Sequence, residues 1–145
     1  MLNFQLRKAC SHDIPFLLDL RQVTMEHYLR EVGMPTDRAS YLERIRYHFD
    51  CAEIVWIEGC PTGLFKACFQ SELQRWYVVQ LQIHPDFQNQ KIGSRLLGQL
   101  IGKARGYPVA LHVVKTNPAR RLYQHLGFNY MGESQFEYEM EYRGC

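Results

Sequence analysis

Tyr77-Val-Val-Gln-Leu-Gln-Ile-His-Pro-Asp-Phe-Gln-Asn-Gln-Lys-Ile-Gly-Ser-Arg-Leu-Leu97 decides how this chain folds. Val78, Val79, Leu81 and Ile83 make a β-branched, apolar run that predicts a strand. Pro85 stops it, because proline has no N–H to give to a ladder. Ile92-Gly93-Ser94 then opens a helix whose Leu96, Leu97, Leu100 and Ile101 fall on one face. Between the two, Gln88 to Ser94 presents successive backbone N–H groups at a helix N-terminus. Those groups have no partner inside a helix, and the macrodipole adds partial positive charge. The turn is a ready site for a phosphate or pyrophosphate.

Length and composition set the frame for that segment. A chain of 145 residues, 46% of them apolar, predicts one domain over 1–145 with a sizeable core. No apolar run reaches membrane-spanning length, and Met1-Leu-Asn-Phe-Gln-Leu-Arg7 lacks a signal-peptide core, so a cytoplasmic protein without a membrane partner is expected. Cys10, Cys51, Cys60, Cys68 and Cys145 show no CxxC spacing and are odd in number. They read as free thiols, with no metal site. A formal net charge of +2, with one basic cluster at Arg120-Arg121, argues against a nucleic-acid partner.

Outward from the deciding stretch, the elements alternate without repeats or linkers. Phe4 to Arg7 alternates as a first strand. Ser11-His-Asp13 offers N-cap chemistry to a helix over about 12–30. Gly33-Met-Pro35 breaks it, and Thr36 or Asp37 caps a second helix carrying Tyr41, Leu42, Ile45 and Phe49. Strands follow over 53–58 and 64–70, joined by a turn at Gly59-Cys-Pro-Thr-Gly63, and a third runs over 76–83. A helix over 93–106 leads to a strand over 108–114. Asn117 and Pro118 then start a helix as N-cap and first residue, ended by Leu126-Gly127. Two short strands close the chain, the last alternating Phe136, Tyr138, Met140 and Tyr142 with Glu137, Glu139 and Glu141. The order predicts a mixed α/β layered fold.

Two blocks carry a family resemblance. The first is Gln88, Lys91 and Gly93, at the places of a signature turn of Gln or Arg, two variable residues, Gly, a variable residue, then Gly or Ala. Lys91 replaces that turn's first glycine. The second block is Leu111-His-Val113, Asn117-Pro-Ala-Arg-Arg-Leu-Tyr123 and Leu126-Gly-Phe128. Together they resemble the GNAT superfamily of acyl-CoA-dependent N-acetyltransferases over nearly the whole chain, most specifically from Tyr77 to Phe128. The resemblance implies a central mixed, mostly antiparallel sheet flanked by helices and splayed at the cofactor strand. It implies acetyl-CoA as acyl donor, with Asn89, Gln90, Lys91, Ile92, Gly93 and Ser94 at its pyrophosphate and Gln88 also in the cofactor-binding set. Leu81, Gln82 and Ile83 would meet the pantetheine arm by strand-like backbone bonds, and Asn117 joins the cofactor set. A lysine in place of glycine has a Cβ, which makes a left-handed conformation costly by roughly 1–2 kcal/mol. The turn is therefore expected to keep ordinary dihedrals, with the ammonium near a phosphate.

The catalytic groups follow from the same comparison. Tyr123 would protonate the leaving CoA thiolate; the plainer reading is a tyrosine that packs its ring and wets its hydroxyl. Some relatives carry a glutamate base on the strand ending here at Ile83 or on that spanning Leu111 to Val113. This chain has no carboxylate in either. His112 stands at the variable place of Leu-x-Val, and an unperturbed histidine titrates near pH 6.5, so His112 is the candidate base, with His84 behind it. Each also reads as a hydrogen-bonded structural histidine. Gln80, Gln82 and His84 share one strand face, Val79, Leu81 and Ile83 the other. Buried amides need partners, so Gln80 and Gln82 either bond across the sheet or line a polar cleft. Tyr28-Leu-Arg-Glu31 with Glu26 and His27 could wall the acceptor, or form a solvated helix face. The expected function is transfer of an acetyl group to a small-molecule or peptide amine by direct attack in a ternary complex. No cysteine sits in a nucleophile motif, and a backbone N–H near Ile83 would polarise the thioester carbonyl. The alternative is a non-catalytic acyl-CoA-binding or regulatory module. The acceptor, the acyl length and homodimerisation stay open.

Overall fold

The computed structural model describes residues 3–144. Seven strands, β1 (Gln5–Lys8), β2 (Ala52–Ile57), β3 (Cys60–Gln70), β4 (Arg75–Ile83), β5 (Val109–Val114), β6 (Asn129–Glu133) and β7 (Glu137–Tyr142), form one sheet. Their spatial order is β1-β2-β3-β4-β5-β7-β6. Neighbours are antiparallel except the β4–β5 pair, which is parallel. Four helices, α1 (Ile14–Val32), α2 (Arg38–Arg46), α3 (Ile92–Ala104) and α4 (Ala119–His125), complete the fold. Two cores flank the sheet. One holds Leu17, Leu20 and Leu29 of α1 with Tyr41 and Ile45 of α2 against Ile54 and Leu64. The other holds Ile92, Leu96, Leu97 and Leu100 of α3 with Tyr123 of α4 against Val55, Val78 and Leu111. Among the described residues no helix is long and apolar enough to cross a membrane.

The sheet parts in its middle. The β4–β5 ladder covers only Trp76↔Val109, Tyr77↔Ala110 and Val78↔Leu111. Beyond it β4 continues to Ile83 paired with β3 alone. A bulge sits where the parting begins: Lys66 faces Gln80 while Ala67 faces Val78, so Val79 has no register partner on β3. An extra residue resets the side-chain alternation beyond it. Val78, Leu81 and Ile83 accordingly share the α3 core, and Val79 does not join them. The expected grouping of Val79 with Leu81 and Ile83 is corrected by this bulge, which strict period-2 alternation cannot contain.

Other boundaries shift for local reasons. The first helix begins at Ile14, after a 3-10 turn over Ser11–Asp13. Asp37 caps α2 as expected, accepting from Ser40 N at 3.1 Å. That helix ends at Arg46, and Phe49 lies in a separate 3-10 turn, not on the helix. The stop is set from outside. Lys66, fully buried on β3, donates Nζ hydrogen bonds to the carbonyls of Arg44 at 3.2 Å, Ile45 at 2.9 Å and Tyr47 at 2.5 Å. β3 begins at Cys60 rather than Leu64, because Glu58 and Gly59, at φ 51° and 80°, make a two-residue hairpin turn. α4 starts at Ala119, one residue later than expected, with Pro118 in the capping place. Asn117 Oδ1 still accepts from Ala119 N at 3.0 Å. Gly127, at φ 107°, ends α4: Phe128 N donates to Tyr123 O and Gly127 N to Gln124 O, a Schellman motif.

One cysteine expectation is overturned. Cys51 and Cys68 form a disulfide, with Cα atoms 5.9 Å apart. The β2–β3 register pairs Ala52 with Lys66 and so carries Cys51, just before β2, beside Cys68. Sequence spacing held no trace of that juxtaposition. Cys10 and Cys60 are free and exposed, and Cys145 lies outside the described residues.

Candidate active site

Two cavities open where β4 leaves β5. The larger, about 610 Å³, lies between the middle of α1, the end of β4, the turn before α3 and the start of α4. The smaller, about 330 Å³, lies between α1, α2 and the strands β4, β5 and β7. Met25, Leu81, Gln82, Asn117 and Tyr123 line both, so the two spaces meet at these side chains.

All the expected cofactor residues except Gln90 line the larger cavity: Leu81, Gln82, Ile83, Gln88, Asn89, Lys91, Ile92, Gly93, Ser94 and Asn117. Arg95 N donates to Lys91 O at 3.0 Å, the first bond of α3. Helix geometry therefore leaves the N–H groups of Ile92, Gly93 and Ser94 without intrahelical acceptors at the cavity mouth. Lys91 is left-handed, at φ 58° and ψ 25°, and so is Asn89 at φ 69°. The expectation of ordinary dihedrals at Lys91 is thus corrected: the chain keeps the backbone shape that glycine gives without strain, and lysine bears the cost. Gly93 is not the special conformer. A Cβ there would find only Leu122 at 3.7 Å and Leu81 at 3.8 Å, ordinary contacts. Gln88 turns its amide back onto β4, donating to Ile83 O at 3.0 Å. That carbonyl is occupied, which leaves fewer β4 groups for a bound chain than expected.

Tyr123 is buried at the junction of the cavities, and burial pushes its phenol up to about 12. Asn117 spans to α1, with Nδ2 3.8 Å from Met25 Sδ, and Thr116 Oγ1 donates to Tyr28 O at 2.9 Å. These contacts seat α1 over the parting. His112 projects from β5 into the smaller cavity, its Nδ1 hydrogen-bonded to Tyr77 Oη. Burial pushes the Tyr77 phenol up to about 12, and which partner donates in that bond follows the tautomer of His112. In the tautomer with Nδ1–H donating to Tyr77 Oη, Nε2 keeps a lone pair that can take a proton. His84 lines neither cavity; its Nδ1 accepts from Asp86 N at 3.1 Å, inside the turn that ends β4.

Of the segment read as a possible acceptor wall, only part borders a cavity. Tyr28 lines the larger cavity and Leu29 the smaller. Glu26, His27, Arg30 and Glu31 line neither. Glu26 accepts from Tyr41 Oη at 3.0 Å and pairs with Arg30 at 3.4 Å, and His27 lies 3.3 Å from Glu31. Arg21, Arg44, Tyr77 and Glu137 line the smaller cavity and were not foreseen. One signal was available: Arg21 stands four residues after Leu17 and four before Met25, on the apolar stripe of α1, where a charge requires a reason. Gln80 and Gln82, singled out as odd in an apolar strand, do line this cavity and are 6% and 5% exposed.

The parted sheet thus sets a helix N-terminus at one cavity and a second cavity, lined by charged and amide side chains, behind it. The chain belongs to the acetyltransferase (GNAT) family, whose family model matches residues 17–128. It is an acyltransferase. Solved structures share the fold. An acetyltransferase from Thermus thermophilus superposes with a TM-score of 0.78 at 19% identity, over 97% of this chain and 96% of that one. The PaiA N-acetyltransferase from Thermoplasma acidophilum, in complex with coenzyme A, gives 0.73 at 16% identity, over 99% and 100%. The N-acetylglutamate synthase from Neisseria gonorrhoeae, complexed with coenzyme A and N-acetyl-glutamate, gives 0.71 at 22% identity, over 99% of this chain but 35% of that one. No curated protein sequence is significantly similar to the chain.

Proposed function

We propose that this protein is a one-domain N-acetyltransferase that moves an acetyl group from acetyl-CoA to a primary amine by direct attack in a ternary complex. The observation that carries the reading is the meeting of the two cavities at Tyr123. The larger takes acetyl-CoA, with its pyrophosphate at the N–H groups of Ile92, Gly93 and Ser94, and the smaller takes the amine. Coenzyme A in the Thermoplasma relative supports that donor.

The amine nitrogen attacks the thioester carbonyl carbon. The new C–N bond forms as the C–S bond breaks, and the electron pair leaves on sulfur. Tyr123, a phenol that carries its proton at neutral pH and that burial pushes up to about 12, hydrogen-bonds to that sulfur and supplies its proton. The proton lost by the amine passes, directly or through water, to Nε2 of His112 in the tautomer that donates Nδ1–H to Tyr77 Oη. A backbone N–H in the parted length of β4 polarises the carbonyl, and the two cavities supply proximity. A cytoplasmic location belongs to the same reading. The Cys51–Cys68 bond bears against it, since disulfides persist in oxidising compartments.

The test is coenzyme A release from acetyl-CoA against a panel of amines, with His112→Ala beside the parent protein. Activity that rises through neutral pH in the parent, with that limb lost in His112→Ala, supports the assignment. A parent pH profile kept in His112→Ala removes His112 as base.

A further inference from the structure

The smaller cavity carries an unbalanced charge. Arg21 and Arg44 line it, against Glu137 as the one carboxylate among the described lining residues. Arg21 is 8% exposed, and among the described residues its Nε has no hydrogen-bond partner. The Tyr41 ring holds its guanidinium from one side, 5.3 Å from centroid to Cζ. Burial, and then the nearby charge of Arg44, bring Arg21 down to about 10; the pull of Glu137 is the smallest of the four influences. The group is therefore still a cation at neutral pH. Arg44 is set by the bulge, donating Nη2 to Val79 O at 2.9 Å. Among the described residues, Gln80 Oε1, Gln80 Nε2 and Gln82 Oε1 likewise have no hydrogen-bond partner.

A buried cation without a matched anion is costly, as is a buried amide without partners. No core-packing role explains either here, since each side chain borders a cavity rather than filling it. Both arrangements suit a bound molecule that brings the missing anion. Guanidinium forks match a carboxylate in two parallel hydrogen bonds. At about 330 Å³ the cavity is at the small end of ligand sites.

We infer that the acceptor is a small amine that also bears a carboxylate, an amino acid or a close analogue, with the carboxylate held by Arg21 and Arg44 and the amine turned toward Tyr123. Glu137 supplies the opposite charge that draws in the ammonium end. This inference rests on the acyltransferase reading above and narrows its substrate.

The experiment has two readouts. The first is kcat/KM for acetylation of L-amino acids against their carboxamides, with phosphoethanolamine as the phosphate-bearing comparison. The carboxylates should lead their amides by about 100-fold or more, and Arg21→Gln should erase most of that lead. Arg21→Lys, which keeps the charge without the fork, should restore part of it. The second readout is binding of N-acetyl amino acids and of their amides, by thermal shift without acetyl-CoA. Arg21→Gln should fold with an unchanged or raised Tm, because it removes an unpaired buried charge. Turnover of amides on a par with amino acids overturns the inference and leaves the transferase reading standing. Preference for phosphoethanolamine overturns the carboxylate in favour of a phosphate. Carboxylate binding that Arg21→Gln abolishes, with no transfer to any amine, upholds the anion site and overturns the transferase reading. Neither binding nor turnover of any carboxylate overturns the inference.

Discussion

Gly63 offers a direct test of how tightly β4 is held against the cavities. It faces Ile83 across the β3–β4 ladder. A Cβ at Gly63 would stand 2.6 Å from Gln82 O and 2.8 Å from Ile83 Cδ1. The isoleucine methyl can turn aside, but the carbonyl belongs to the strand. Restoring a contact of 3.4 Å requires the strands to separate by 3.4 − 2.6 = 0.8 Å at Gln82. Overpacking of this kind costs roughly 1–3 kcal/mol. Alanine's stiffer unfolded chain offsets up to about 1 kcal/mol of that. Gly63→Ala should therefore lower Tm by about 3–6 °C in a chain of this size. Because Gln82 lines both cavities, the same displacement should reduce kcat/KM by roughly 10- to 100-fold. Scanning calorimetry, an acetyl-CoA titration and steady-state rates measure these effects. Gly98→Ala is the control, since its Cβ would meet nothing within 4 Å, and it should be neutral or stabilising. A Gly63→Ala protein with the parent's Tm and kcat/KM would refute the reasoning that the glycine sets the β3–β4 approach at the site.

Two further outcomes are expected. Lys91→Gly relieves a left-handed lysine at φ 58°, worth about 1–2 kcal/mol less the entropy of glycine. It should raise stability by up to about 1 kcal/mol, leave acetyl-CoA affinity within about tenfold and reduce its salt dependence, as titrations at low and high salt would show. Lys66→Met orphans three carbonyls and should lower stability by roughly 2 kcal/mol or more at pH 7 in urea denaturation. Burial brings Lys66 down from 10.5 to about 8. Between those values the unfolded chain binds the proton and the folded one does not, so stability rises with pH there. The parent protein should gain on Lys66→Met between pH 8 and 10.5, and a parallel pH dependence of the two would contradict this.

What the sequence revealed and what it hid divide along physical lines. The α3 face of Leu96, Leu97 and Leu100, and the stop at Gly127, are local patterns, and both stand in the structure. So does the helix start after Lys91, whose free N–H groups follow from helix geometry alone. The bulge at Val79 was invisible because it depends on how β3 and β4 pair, and it reassigns the faces of Val79 and Val78. The Cys51–Cys68 bond depends on the β2–β3 register in the same way. The smaller cavity gathers Arg21, Arg44 and Glu137 from three elements far apart in the chain. Of these, Arg21 alone carried a local sign, a cation on the apolar stripe of α1. The end of α2 was misjudged at Phe49 because a lysine twenty residues or so downstream caps the helix.

The central claim is that Tyr123 stands between donor and acceptor and serves the leaving sulfur. Tyr123→Phe removes one oxygen from a buried ring and keeps the packing against Phe128. The decisive measurement is kcat of Tyr123→Phe set beside its acetyl-CoA Kd. A kcat reduced by roughly 100-fold or more, with Kd within a factor of about three, is the result this account requires. A kcat equal to that of the parent protein would contradict it and leave Tyr123 a packing residue at the meeting of two cavities.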